Sequence, residues 1–170
     1  MHPIHCILTG GTVAERYDPH ATDRRLRVDT YSVSDRLMKL APDMCQYTHL
    51  MSKDSLEMND DDRAQLAKAV VESPSWRVLV IHGTGTMVKS AGVIAQALKA
   101  ARRDKLVVLT GSMIPIREVE SDADFHLGGA LLALQTAMTL GVYIAMSGHF
   151  FPWDQCYKNE RKQRFYRKVD

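Results

Sequence analysis

The chain has 170 residues, 45% of them apolar, enough for one well-filled core and short for two independent ones. Its 22 basic and 20 acidic side chains nearly cancel, so no overall field points to nucleic acid or an anionic membrane surface as a partner. Apolar runs are only a few residues long, far below the roughly 20 a membrane-crossing helix needs. The opening MHPIHCILTGG lacks the basic region and cleavage site of a secretory leader, so a cytoplasmic location is expected.

In chain order, β-branched or apolar runs predict buried strands at Ile4 to Thr9, Val78 to His82, Val107 to Thr110 and Val142 to Met146, with a weaker one over Gln46 to Met51. Residues 15–30, ERYDPHATDRRLRVDT, are charged and aperiodic and read as a surface loop able to cover a site. A helix is expected to begin near Asn59 or Asp60, where Asp60, Asp61 and Asp62 suit the positive end of a helix dipole; its apolar side would be Ala64, Ala67, Val70 and Val71. Three-and-four spacing predicts two further helices, through Ala91, Ile94, Ala95 and Leu98, and through Leu127, Leu131, Leu134 and Met138. Strands alternating with helices imply an α/β fold, a three-layer, mainly parallel sheet flanked by helices in the Rossmann-like manner. The basic tail NERKQRFYRKVD reads first as a solvated helical end and second as a subunit contact.

Cys6, Cys45 and Cys156 are odd in number and widely spaced, which fits reduced thiols rather than disulfides or a zinc site. The histidines are equally scattered; His2 and His5 lack a partner pair, so no metal site is expected.

Two strands end in glycine- and threonine-bearing loops, ILTGGTVA at 7–14 and IHGTGTM at 81–87. Ligands of open parallel sheets bind beyond the carboxyl ends of the strands, and glycines there let backbone N–H groups approach a ligand oxygen. Gly10 and Gly11 do not complete a dinucleotide fingerprint, and no lysine follows as in a phosphate-binding P-loop. Taken alone, the loops leave simple turns, phosphate or nucleotide binding, and catalysis all open.

The segments TGGTVA, KDSLEM, HGTGTM, VVLTGSM and GVYIAM follow one another in the order and approximate spacing of the amino-terminal domain of bacterial-type L-asparaginases. The chain resembles that family from about Ile7 to Lys158, and the short single-domain members above all, which implies one domain over 1–170 without a carboxyl-terminal domain. The resemblance implies an amidohydrolase converting L-asparagine to L-aspartate and ammonia, with no cofactor and with a small amino-acid amide as substrate. It also implies a homodimer or higher homo-oligomer.

By resemblance, Thr12 is the nucleophile, Thr84 the second threonine and Lys158 its partner, able to take a hydroxyl proton if burial lowers its basicity. Tyr17 is matched to a loop tyrosine that polarises the nucleophile. Ser55 is matched to a substrate-carboxylate contact and Glu57 to a position that meets the ammonium. Gly11, Gly83, Gly85 and Ser112 complete the expected substrate-binding set, and backbone N–H groups near Thr12 or Thr84 would stabilise the oxyanion.

One departure stands out. The family's second loop usually reads His-Gly-Thr-Asp-Thr, and Gly85 stands where that aspartate, which contacts both ammonium and lysine, is expected. Either Glu57 or another carboxylate supplies the charge, or the chain is an impaired enzyme, an enzyme of changed specificity or an amino-acid- or nucleotide-binding module.

Overall fold

The computed structural model describes residues 3–17 and 26–169. In chain order the elements are β1 (Ile4–Gly10), β2 (Glu15–Tyr17), β3 (Leu26–Val28), α1 (Tyr31–Leu40), β4 (Cys45–Lys53), α2 (Asp60–Glu72), β5 (Arg77–Ile81), α3 (Met87–Ala100), β6 (Leu106–Thr110), α4 (Ala123–Thr136), β7 (Gly141–Met146), β8 (His149–Pro152), β9 (Cys156–Asn159) and β10 (Arg164–Arg167).

Six strands form one sheet in the order β4-β1-β5-β6-β7-β8. The first five are mutually parallel, and β8 turns back antiparallel against β7. Strands β1, β5 and β6 are buried almost throughout, which explains their unbroken apolar character. Helices α2 and α3 cover one face, joined by Phe151, Cys156 and Phe165, while α1 and α4 cover the other. This is the expected three-layer α/β architecture. From β1 the chain runs to β4 on one side and to β5 on the other, so the sheet has a topological switch point between β1 and β5.

Several local expectations need correction. Helix α2 begins as expected, with Asn59 and Asp62 forming a reciprocal cap. Its buried face is Arg63, Leu66, Ala67 and Val70, a three-and-four stripe that leaves Ala64 exposed. Met138 lies beyond the end of α4 and is fully accessible, because the helix stops at Thr136. Within 15–30, residues 15–17 pair antiparallel with 26–28, Glu15 opposite Val28 and Tyr17 opposite Leu26. Local ladder bonds satisfy the backbone there without any apolar periodicity. The rest of that segment, 18–25, lies outside the described residues.

The tail is not a helical end. Residues Cys156–Asn159 and Arg164–Arg167 form an antiparallel hairpin with Phe165 opposite Lys158. Phe165 is buried against the α2–α3 face, and its burial fixes the hairpin to the body of the fold. Among the described residues, no helix is long and apolar enough to cross a membrane.

Candidate active site

The switch point is built by close approach of backbones. Gly11 follows β1 with φ 82°, and a Cβ placed on it would lie 2.2 Å from Gly83 Cα. A Cβ on Gly83 would in turn lie 2.6 Å from Ser55 Oγ. Side chains at these two glycines would force apart the loops after β1, β4 and β5. The Gly11 N–H donates to the Lys53 carbonyl at 2.9 Å, so this amide is committed to joining the first loop to the end of β4.

Next to this contact lies a cleft of about 430 Å³ lined by Thr12, Asp54, Ser55, Leu56, Thr84, Gly85, Met113, Lys158, Glu160 and Gln163. Thr12 opens a 3₁₀ turn directly after Gly11, and Thr84 lies just beyond β5, after His82 and Gly83. Ser55 is buried and lies in a turn closed by the Glu57 N–H on the Asp54 carbonyl at 3.0 Å. Asp54 Oδ1 also accepts from the Leu56 N–H at 2.7 Å. That turn brings Ser55 and Leu56 to the cleft while Glu57 is exposed and outside its lining.

Arg63, which sequence reasoning missed, braces the floor. It is buried, and its guanidinium donates to the carbonyls of Met58 at 2.6 Å, Asn59 at 2.9 Å and Ser55 at 3.4 Å, and to Thr86 Oγ1 at 3.0 Å. Thr86 Oγ1 donates to the Ser55 carbonyl at 2.7 Å, completing a bond network between the Ser55 turn and the Gly83–Gly85 loop. Arg63 is overlooked in sequence because an arginine in a helix ordinarily reads as part of its solvated face.

The remaining expected site residues are Ser112 and Tyr17. Ser112 is buried, donates to the Ile114 carbonyl and shapes its loop, while the neighbouring Met113 lines the cleft. The Tyr17 backbone pairs with Leu26; its side chain lies outside the described residues.

Lys158 comes to the cleft from the β9–β10 hairpin. Its Nζ lies 3.1 Å from Glu160 Oε2, and its side chain is only 11% exposed. At Gly85, where the carboxylate is missing, a Cβ would stand 2.9 Å from Leu56 Cδ2. An apolar side chain thus occupies the space beside the substituted position.

His82, at the start of the second loop, is fully buried and uncharged. Its Nδ1 donates to the Gly83 carbonyl at 2.7 Å, leaving Nε2 buried without a hydrogen-bond partner. Burial pushes its pKa down to about 4, with the nearby Arg63 charge adding to the effect and the Gly83 bond and Asp54 opposing it. The cysteine thiols lie outside the cleft lining, and burial holds all three above their ordinary pKa. The nucleophile candidates in the cleft are therefore hydroxyls, with one lysine amine beside them.

A doubly wound sheet with a cleft at its switch point defines an α/β protein. More narrowly, the chain belongs to the asparaginase family: the family model "Asparaginase, N-terminal" matches residues 3–164. It is 29% identical over 153 residues to a probable periplasmic L-asparaginase of Haemophilus influenzae, covering 85% of this chain and 42% of that protein. It is 27% identical over 153 residues to a component of the glutamyl-tRNA(Gln) amidotransferase of Aeropyrum pernix, covering 85% and 35%. The chain thus spans less than half the length of these curated relatives. The crystal structure of a probable cytoplasmic L-asparaginase from Campylobacter jejuni has the same fold, with a TM-score of 0.81 at 24% identity, over 98% of this chain and 53% of that one.

Proposed function

We propose that the cleft hydrolyses the side-chain amide of L-asparagine, with Thr12 as nucleophile. The observation that carries this reading is the placement of Thr12, Ser55, Thr84 and Lys158 around one cleft at the switch point. Thr12 Oγ1 attacks the amide carbon, and its proton passes, directly or through Thr84 or water, to the Lys158 amine in its neutral form, which becomes the ammonium. Collapse of the tetrahedral intermediate releases ammonia once the leaving nitrogen has gained a proton. Water then cleaves the Thr12 ester to give L-aspartate and free enzyme. Ser55 receives the substrate carboxylate, and backbone N–H groups of the two glycine loops stabilise the oxyanion. Since Glu57 is exposed outside the cleft lining, Asp54 is the better-placed carboxylate for the substrate ammonium. The assembly is proposed to be a homodimer or larger. Ammonia release from asparagine and from glutamine tests the reading: absence of turnover by folded protein at millimolar substrate would remove it.

A second reading is supported by the Gly85–Leu56 contact, which puts apolar surface where the family's aspartate is expected. In that case the cleft binds an amino acid without hydrolysing it. Calorimetric binding of aspartate or asparagine, unaccompanied by ammonia release, would favour it over the first.

A further inference from the structure

We propose that Glu160 is a positioning residue that holds the Lys158 amine in the cleft, supplying from the β9–β10 hairpin the carboxylate that the second loop lacks at Gly85. This inference rests on the hydrolytic reading above for its catalytic consequence, though not for its geometric one. The two residues are separated by one position at the end of β9, and both line the cleft. The Lys158 Nζ to Glu160 Oε2 distance is 3.1 Å; the lysine side chain is 11% exposed and the glutamate 65%. The ion pair therefore has its cation in the cleft and its anion at the rim.

Two features hold Glu160 in place. Gln163 Nε2 donates to the Glu160 carbonyl at 2.6 Å and reaches Oε2 at 3.5 Å. Gln163 itself lines the cleft and has φ 48°, the left-handed backbone that closes the turn. Just past the turn and opposite Lys158, the Phe165 N–H donates to Ser147 Oγ at 3.1 Å, and the Ser147 N–H donates to His126 Nε2 at 3.0 Å. The turn carrying the ion pair is thus tied to the carboxyl end of β7 and to α4. Asp54, the other carboxylate among the described residues of the cleft lining, is bonded to its own turn through the Leu56 N–H. Glu160 is left as the counter-charge to Lys158.

The catalytic arm compares Glu160→Ala with Glu160→Asp. Removing the carboxylate is expected to lower kcat about tenfold with KM nearly unchanged, between the small effect of a solvated ion pair and the ~10²-fold loss from a misplaced group. Glu160→Asp keeps most of the rate, and Gly85→Asp added to Glu160→Ala restores it by returning a carboxylate to the cleft. Equal losses in the Ala and Asp variants, or no rescue by Gly85→Asp, would overturn the proposal. The geometric arm needs no turnover: in a crystal structure of Glu160→Ala the Lys158 amine should leave the cleft. Should it stay in place, Glu160 does not position it. An inactive parent enzyme would sink the hydrolytic reading alone, and the Lys158 position would still decide this one.

Discussion

Gly11 and Gly83 touch backbone to backbone, so closely that a Cβ on the first would lie 2.2 Å from the Cα of the second. The contact brings together the loops after β1 and β5, and with them Thr12 and Thr84. Gly11→Ala adds overlap with backbone atoms and left-handed strain at φ 82°, and neither is relieved by rotating a side chain. It is expected to cost about 3 kcal/mol and to remove activity. A denaturant melt that left Gly11→Ala as stable as the parent would show that the loops part easily.

Gly85 calls for a different substitution. The Cβ of Gly85→Asp would meet Leu56 at 2.9 Å, a residue that is 75% exposed and free to swing outward, and would lie 3.3 Å from Ser55 Oγ. With Glu160 already paired to Lys158, the added carboxylate serves the substrate ammonium. KM for asparagine should fall about tenfold, by the ~1.5 kcal/mol of a charge-assisted hydrogen bond, with kcat little changed. Steady-state kinetics of Gly85→Asp beside Gly85→Ala checks this; an equal effect in both would assign it to packing.

Arg63 offers a test of the floor. Arg63→Met removes the guanidinium donors to Met58, Asn59, Ser55 and Thr86 from a buried position, although the Ser55 carbonyl keeps Thr86 Oγ1 and the Asn59 carbonyl keeps the backbone N–H of residue 63. A loss of about 2–4 kcal/mol is expected, with KM rising as the Ser55 turn loosens. Thermal melts and kinetics of the variant measure both effects, and an unchanged KM would separate the brace from substrate binding.

His82 gives stability a pH dependence. Its folded pKa of about 4 lies below the ordinary 6.5, so the unfolded chain takes up the proton first. Its contribution is intact above about pH 6.5, drains away as pH falls towards 4, and changes no further below that. The loss is on the order of 3 kcal/mol. Urea melts at pH 7 and 4.5 should show a smaller pH effect in His82→Asn than in the parent; equal pH effects would mean that His82 does not control this window.

Much of the fold was readable in the sequence, for physical reasons that also mark where reading failed. Buried parallel strands carry unbroken apolar runs, so β1, β5, β6 and β7 stood out, and glycines at their ends marked the switch-point loops. The β9–β10 hairpin was hidden because its strands are short and carry charged residues, and the burial of Phe165 and its bond to Ser147 reveal how it is fixed. Glu57 is matched by resemblance to the position that meets the ammonium, and the Asp54 turn instead leaves it exposed outside the cleft lining. Helix α1 escaped because small serines beside Val33 and Leu37 make up its buried face. Glu160 was invisible as a partner because its role depends on the turn that folds it back onto Lys158.

Whether Thr12 attacks an amide carbon is decided by the products and by the loss of its hydroxyl. Ammonia and aspartate should be measured together from L-asparagine, for the parent chain and for Thr12→Ala at matched stability. Equimolar products are expected from the parent, with a loss of about 10³-fold or more in Thr12→Ala because the nucleophile is removed. No turnover by the folded parent, or most of the rate surviving in Thr12→Ala, would contradict it.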